Sequence, residues 1–169
     1  IESKFGNILH RMKWVNFGGG HHITKKDYDI NLLSCLLNNV RNKYNLEVYI
    51  EPGEAIALNA GFLLAKVEDV VTNQNEKTAV LNVSFAAHMP DCLEMPYKPE
   101  VVGETIRGLE FTLGGNTCMS GDFVRGFHFE KELQIGQDII FKDMGHYTFV
   151  KTTFFNGVKH PSLGIWTKN

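Results

Sequence analysis

The apolar positions of this chain recur first in short runs, then at helical spacing, and later in alternation. Residues 13–17, KWVNF, form a brief apolar run that three glycines end, which is the pattern of a short buried strand. Thr24 and Asp27 then suit a helix start, one as N-cap and the other as an acid near the positive end of the dipole. Ile30, Leu33, Leu37, Val40 and Tyr44 follow at three- and four-residue steps, so one face of that helix packs inward. Residues 46–50 read as the next strand, broken at EPGEA by Pro52 and Gly53. Strand, glycine loop, helix and strand make a βαβ unit, whose parallel strands carry chemistry at their C-terminal ends. Both the glycines and Glu51 lie at such ends.

From Ala57 the pattern is mainly β. FLLAKVEDVV and KTAVLNVSF read as paired strands across the polar loop VTNQNE. Residues 109–113, 138–141 and 147–150 are further strand candidates, separated by turns that contain glycine. Within FLLAKVEDVV, alternation points Lys66 to solvent. The boundary between the α/β segment and the β-rich one falls near residues 54–61, and no internal repeat or low-complexity segment is present.

Composition adds limits. With 169 residues, 43% of them hydrophobic, the chain suits one ordinary domain or two small ones sharing a core. A scattered net charge of -2 leaves no basic surplus for nucleic acid. The longest apolar runs, residues 60–65 and 79–83, are far too short to span a membrane, and residues 1–10 lack the apolar centre of a signal peptide. Cys35, Cys92 and Cys118 are an odd number without Cys-x-x-Cys spacing, which fits a reducing compartment and points to the cytoplasm.

Three stretches could carry chemistry, and each has a plainer explanation. Gly18, Gly19 and Gly20 serve either a turn with positive φ or a phosphate cradle, in which backbone N–H groups close on an anion beside a helix start. His21 and His22 follow directly. Adjacent histidines rarely aim at one ion and no matching ligands recur downstream, so no metal is expected. Glu51, before Pro-Gly, is in isolation a solvated turn acid. GGNTCMSGD brackets Cys118 with small residues and sets Asp122 four positions later, so Cys118 is either a small core residue or a reactive thiol acting as acid or nucleophile. DMGHYTFVKTTFFNG sets Tyr147 among aromatics of the kind that usually fill cores.

The order of these motifs decides more than any one of them. VNFGGG, EPGEA, CMSGD, DMGHYT and FFNG resemble, in sequence, the pyridoxal-phosphate decarboxylases of the alanine-racemase-like fold, the group that contains ornithine and diaminopimelate decarboxylases. NFGGGHHIT, EPGEA, HMPDCLEMPY and CMSGD are most similar to its branch acting on carboxynorspermidine and carboxyspermidine. The resemblance covers nearly everything from Lys13 onward. It implies an α/β plus β architecture: residues 1–56 from the C-terminal part of a (β/α)8 barrel, then a β-rich barrel or sandwich over residues 57–169, a return to the barrel being left open.

The resemblance also implies pyridoxal 5'-phosphate as cofactor, held at its phosphate by Gly18, Gly19, Gly20 and Tyr147. It sets Glu51 opposite the pyridine nitrogen, where a carboxylate keeps that nitrogen protonated, and counts Glu51 on the substrate side as well. Cys118 is implied as the general acid that protonates the decarboxylated carbon, and Asp122 and Asp91 as acids for the far amine of a cationic polyamine precursor. The partner implied is a second copy, in a head-to-tail homodimer whose cysteine loops complete each other's sites. Two departures stand out. Glu54 occupies the position where ornithine- and diaminopimelate-type relatives carry a basic phosphate contact. The family's Schiff-base lysine lies in the first barrel strand, beyond which this chain begins, and Lys25, Lys26, Lys66 and Lys142 do not replace it. ESKFG resembles a mid-barrel strand lying too close to WVNFGGG, so the chain is expected to be truncated or discontinuous and inactive alone. The alternatives are a diaminopimelate- or ornithine-type enzyme and, from another class, a non-catalytic homologue that binds a partner.

Overall fold

The computed structural model describes residues 1–167, in two compact units that divide after Leu58. The first unit runs α1 (Glu2–Leu9), β1 (Trp14–Asn16), α2 (Ile30–Tyr44), β2 (Glu47–Tyr49) and α3 (Gly53–Ala57). β1 and β2 pair in parallel, Trp14 with Glu47, Val15 with Val48 and Asn16 with Tyr49, so the expected βαβ unit is present. A small core of Leu9, Tyr44 and Leu46, with Val15, Val40 and Val48 against it, holds the unit together.

Three local expectations change here. ESKFG is helical rather than a strand, because Phe5, Ile8, Leu9 and Met12 recur at helical steps and only Leu9 is buried. The cap of α2 is Asp29, whose carboxylate accepts from Leu32 N at 2.8 Å. Thr24 instead donates its hydroxyl to Ala55 O at 2.5 Å, tying the loop before α2 to α3. β1 is only partly buried, with Val15 covered and Trp14 and Asn16 exposed. The inward face of α2 holds from Leu33 onward, with Leu33, Leu37 and Val40 half-buried and Tyr44 buried, whereas Ile30, expected on that face, is exposed at the helix start.

The second unit, from Asn59, is a mixed five-stranded sheet of β3 (Phe62–Asn73), β4 (Glu76–Leu81), β5 (Leu109–Gly114), β6 (Phe123–Phe129) and β7 (Asp138–Lys142). The strand order is β6-β5-β4-β3-β7, with β4 and β5 parallel and every other pair antiparallel. β3 is long enough to pair twice, through Phe62 to Lys66 with β7 and from Val67 onward with β4. A register shift between Val67 and Asp69 marks the change. The polar loop expected between β3 and β4 shrinks to Gln74 and Asn75, at φ 48° and 72°, the left-handed pair of a tight hairpin. Lys66 faces solvent as expected and pairs with Asp138 at 2.6 Å.

Parallel β4 and β5 need a crossover, and that connection carries the HMPDCLEMPY motif on two single helical turns, α4 (Phe85–His88) and α5 (Asp91–Glu94). Ser84 caps α4 by accepting from Ala87 N at 2.9 Å. Phe85, Met89 and Cys92 point from the crossover into a core completed by Leu63, Ala65, Val67, Leu81, Phe111, Leu113, Phe127 and Phe141. β6 escaped sequence reading because Gly126, at φ 80°, interrupts its alternation. Residues 147–150 are not a strand but a helical turn, α6 (Tyr147–Val150). Ladder-like bonding stops at Met144 N to Gly61 O, 2.9 Å, and a Cβ on Gly145 would lie 2.9 Å from Gly61 N, so no strand can continue alongside.

Candidate active site

In the first unit the glycine loop and Glu51 form one hydrogen-bonded assembly, and the residue joining them is Asn16, the last of β1. Its amide Nδ2 donates to Glu51 Oε1 at 2.6 Å, while its Oδ1 accepts from Gly18 N at 2.8 Å. The backbone doubles the link, with Phe17 N to Tyr49 O at 3.0 Å and Glu51 N to Gly18 O at 2.8 Å. Asn16 lies inside the VNFGGG motif, but nothing in the motif marked it as the link to Glu51.

The three glycines differ in what they do. Gly18 and Gly20 have φ of 70° and 81°, and a Cβ on either would meet nothing within 4 Å. A Cβ on Gly19 would lie 3.0 Å from Glu51 O, so that position is fixed by close approach. The Gly18 amide is committed to Asn16, whereas the amides of Gly19 and Gly20 have no hydrogen-bond partner among the described residues. Free backbone donors beside an open, side-chain-free surface fit an anionic group such as a phosphate. His22 lies against Glu54, Nδ1 to Oε1 at 3.8 Å, and His21 Nε2 is buried without a protein partner. Among the described residues no set of three or more histidine, cysteine or acidic side chains could hold a metal ion.

In the second unit Cys118 is exposed at the tip of the β5–β6 loop, and Asp122 forms the base of that loop. Asp122 is only 4% exposed. One carboxylate oxygen accepts from Ala86 N at 2.9 Å in α4, and the other from Thr117 Oγ1 at 2.5 Å and Thr117 N at 3.3 Å. Gly115 packs so closely on this carboxylate that any Cβ there would collide with it. The carboxylate that the resemblance assigns to a distant amine thus holds Thr117 of its own loop and Ala86 of α4.

Asp91, at the start of α5, contacts Lys151 Nζ, which also meets Glu94 Oε2 at 2.6 Å. Those two acids raise the Lys151 pKa, so Lys151 stays charged. Tyr147, the first residue of α6, is about half exposed, with its ring 4.1 Å from that of His146 and the Lys151 ammonium 5.6 Å from its centroid. Asn156, in FFNG, donates from Nδ2 to Cys118 Sγ at 3.0 Å, a contact that the sequence motif alone did not reveal. Below the loop, burial pushes the Cys92 thiol up to about 11 and the buried His88 below its ordinary value.

Residues 15–145 match the family described as pyridoxal-dependent decarboxylase, C-terminal sheet domain, and the chain belongs to that family. Among particular relatives, a carboxyaminopropylagmatine decarboxylase from Synechocystis is 46% identical over 97% of this chain and 43% of its own length. A carboxynorspermidine/carboxyspermidine decarboxylase from Campylobacter jejuni is also 46% identical, over 96% of this chain and 46% of its own. The crystal structure of carboxynorspermidine decarboxylase complexed with norspermidine, from Campylobacter jejuni, matches with a TM-score of 0.79 over 93% of this chain and 46% of that one, at 46% identity. The chain thus spans less than half the length of these relatives.

Proposed function

We propose that the full protein containing this chain is a pyridoxal-phosphate-dependent carboxy-lyase that converts carboxynorspermidine or carboxyspermidine into norspermidine or spermidine. The observation that carries this is the Asn16 bridge, which couples a loop with two free amide donors to a carboxylate at the neighbouring strand end. When bound, pyridoxal phosphate supplies a ring that accepts the electron pair released as the substrate carboxylate leaves as carbon dioxide. The Gly19 and Gly20 amides would hold the phosphate, with Asn16 aiming the loop by holding Gly18, and Tyr147 is the further phosphate contact that the family resemblance implies. Glu51, its carboxylate oriented by Asn16, would keep the ring nitrogen protonated and so favour departure of the substrate carboxylate.

Cys118 then gives its proton to the carbon that has lost carbon dioxide, a general-acid step. Asp91 takes the distant ammonium of the substrate in competition with Lys151, and Asp122 keeps the Cys118 loop in shape. Residues 1–56 belong to the end of the (β/α)8 barrel, and two copies pair head-to-tail so that each Cys118 loop serves its neighbour. No helix among the described residues is long and apolar enough to cross a membrane, and the cytoplasmic reading rests on the odd cysteine count without Cys-x-x-Cys spacing.

One second reading has specific support, because the Synechocystis relative, a carboxyaminopropylagmatine decarboxylase, is as similar as the Campylobacter jejuni one. That substrate would end in a planar guanidinium instead of a compact ammonium, a difference to which paired carboxylates respond. The test is turnover by the full-length protein, with added cofactor, of carboxynorspermidine, carboxyspermidine, carboxyaminopropylagmatine and diaminopimelate. Fastest carbon dioxide release from the first two supports the proposal, and fastest release from the third supports the second reading. Preference for diaminopimelate overturns both, and no turnover of any of them favours a non-catalytic binding protein.

A further inference from the structure

The FFNG segment has no role in the function proposed above, yet it supplies the polar partner of the Cys118 sulfur among the described residues. The geometry points to Asn156 as a positioning residue for Cys118: its amide N–H holds the sulfur, leaves the thiol hydrogen free to face the substrate, and steadies the thiolate left once that proton has gone.

The contact is built from both sides. Cys118 lies between two anchored neighbours, Thr117 bound through its N–H and hydroxyl to Asp122, and Met119 accepting at its carbonyl from Asp122 N at 3.0 Å. Asn156 has φ 54° and ψ 21° inside the 3-10 turn Phe155–Gly157, the left-handed conformation that asparagine tolerates better than other residues with a side chain. That turn is closed by Gly157 N to Phe154 O at 2.8 Å.

Both loops are tethered to the same helical turn. Asp122 grips Ala86 N, and Thr153 N, three residues before Asn156, donates to Ala87 O at 2.9 Å. α4 therefore sets the 3.0 Å separation of Nδ2 and Sγ from two directions. An amide is a weak donor to a neutral thiol and a stronger one to a thiolate, since hydrogen bonds to charged acceptors are shorter and stronger. In the step it serves, the S–H bond of Cys118 breaks and a C–H bond forms at the carbon that lost carbon dioxide. The electron pair of that carbon makes the new bond, and the sulfur keeps the pair of the old one. Asn156 adds no proton and takes none.

This inference rests on the proton-donor assignment for its catalytic meaning, but the contact can be tested without substrate. Asn156→Gly keeps the left-handed backbone at no steric cost and removes the amide, and Asn156→Asp keeps the shape but replaces the donor with a negative charge. In the full-length protein, the rate of iodoacetamide modification of Cys118 is followed by mass spectrometry at neutral pH. Cys35, exposed on α2, is the internal control. Because the thiolate is the nucleophile, both variants should slow modification of Cys118 about tenfold, the Asp variant more, with Cys35 unchanged.

Modification that is unchanged or faster in Asn156→Gly overturns the inference, since mere loosening of the loop exposes the thiol further. If one variant fails to fold, by circular dichroism, the other decides. In turnover assays the Gly variant should lose kcat with little change in KM; a loss confined to KM also overturns the role. Slowed modification together with full turnover by Cys118→Ala would sink the proton-donor assignment and leave the Asn156 contact standing.

Discussion

Replacing Asp122 separates two roles for one carboxylate, a substrate contact and a structural post. In Asp122→Ala, Ala86 N and the Thr117 hydroxyl both lose their partner in a site where Asp122 is only 4% exposed. A hydrogen bond to a charged acceptor contributes about 1.5–3 kcal/mol, and a buried donor left without one carries its full desolvation cost. The long contact from Thr117 N, 3.3 Å, adds little. Two strong bonds therefore amount to about 3–6 kcal/mol, which lowers Tm by roughly 10 °C or more in a unit of this size.

Asp122→Asn keeps one carbonyl oxygen for Ala86 N, and the Thr117 hydroxyl can turn to accept from the new amide, so its cost is about 1–2 kcal/mol. Chemical and thermal denaturation of the full-length protein, followed by circular dichroism, measures both. Asp122→Ala should be far less stable than Asp122→Asn, and Asp122→Asn should keep a KM close to that of the parent. Alanine within about 1 kcal/mol of the parent, or a steep rise in KM for Asp122→Asn at unchanged Tm, would refute the structural role and return Asp122 to the substrate.

Three further outcomes concern Gly145, Cys92 and His88. Gly145→Ala puts a Cβ within 2.9 Å of Gly61 N and 3.2 Å of Ala60, so it should cost about 1–3 kcal/mol and weaken cofactor retention by moving α6 and Tyr147, measured by dialysis and absorbance. The Cys92 thiol is raised by burial from 9.0 to about 11, so the unfolded chain loses this proton first as pH rises. Stability should thus fall between about pH 9 and 11, a fall that Cys92→Ala flattens, and at pH 8 iodoacetamide should spare Cys92 until the protein is unfolded. His88, buried and held below its ordinary 6.5, is protonated more readily in the unfolded chain, so stability should drop as pH falls through 6.5. His88→Gln should reduce that slope in pH-dependent urea denaturation.

Strong local patterns were legible in the sequence, and contacts between distant segments were not. The βαβ unit followed from a glycine-ended strand and a helix whose inward face recurred at helical steps, and both survive in the structure. β3 and β4 were visible because alternation continues through Val67, although the loop between them was drawn too long: Thr72 and Asn73 are polar yet paired. β6 was missed because one glycine with positive φ shifts its alternation between Val124 and Phe127. Residues 147–150 read as a strand from aromatic and β-branched content, and the packing of Gly145 against Gly61 overrode that preference.

At the site, Gly18 to Gly20, Glu51 and Cys118 could be picked out because motifs mark them. Asn16, Lys151 and Asn156 lie inside motif stretches too, but their roles could not be read, since each acts on a partner 35 or more residues away: Glu51, Asp91 and Cys118. For the same reason the hold of Asp122 on Ala86 N was invisible, because no pattern along a chain shows that a carboxylate is buried against a distant amide.

The cofactor cradle is the central claim, and a crystal structure of the full-length protein grown with pyridoxal phosphate tests it most directly. The phosphate should lie against the Gly19 and Gly20 amides and the Tyr147 hydroxyl, with the Glu51 carboxylate within hydrogen-bond distance of the ring nitrogen and still joined to Asn16. A phosphate bound away from the glycine loop, or a ring nitrogen without Glu51 beside it, would contradict the account.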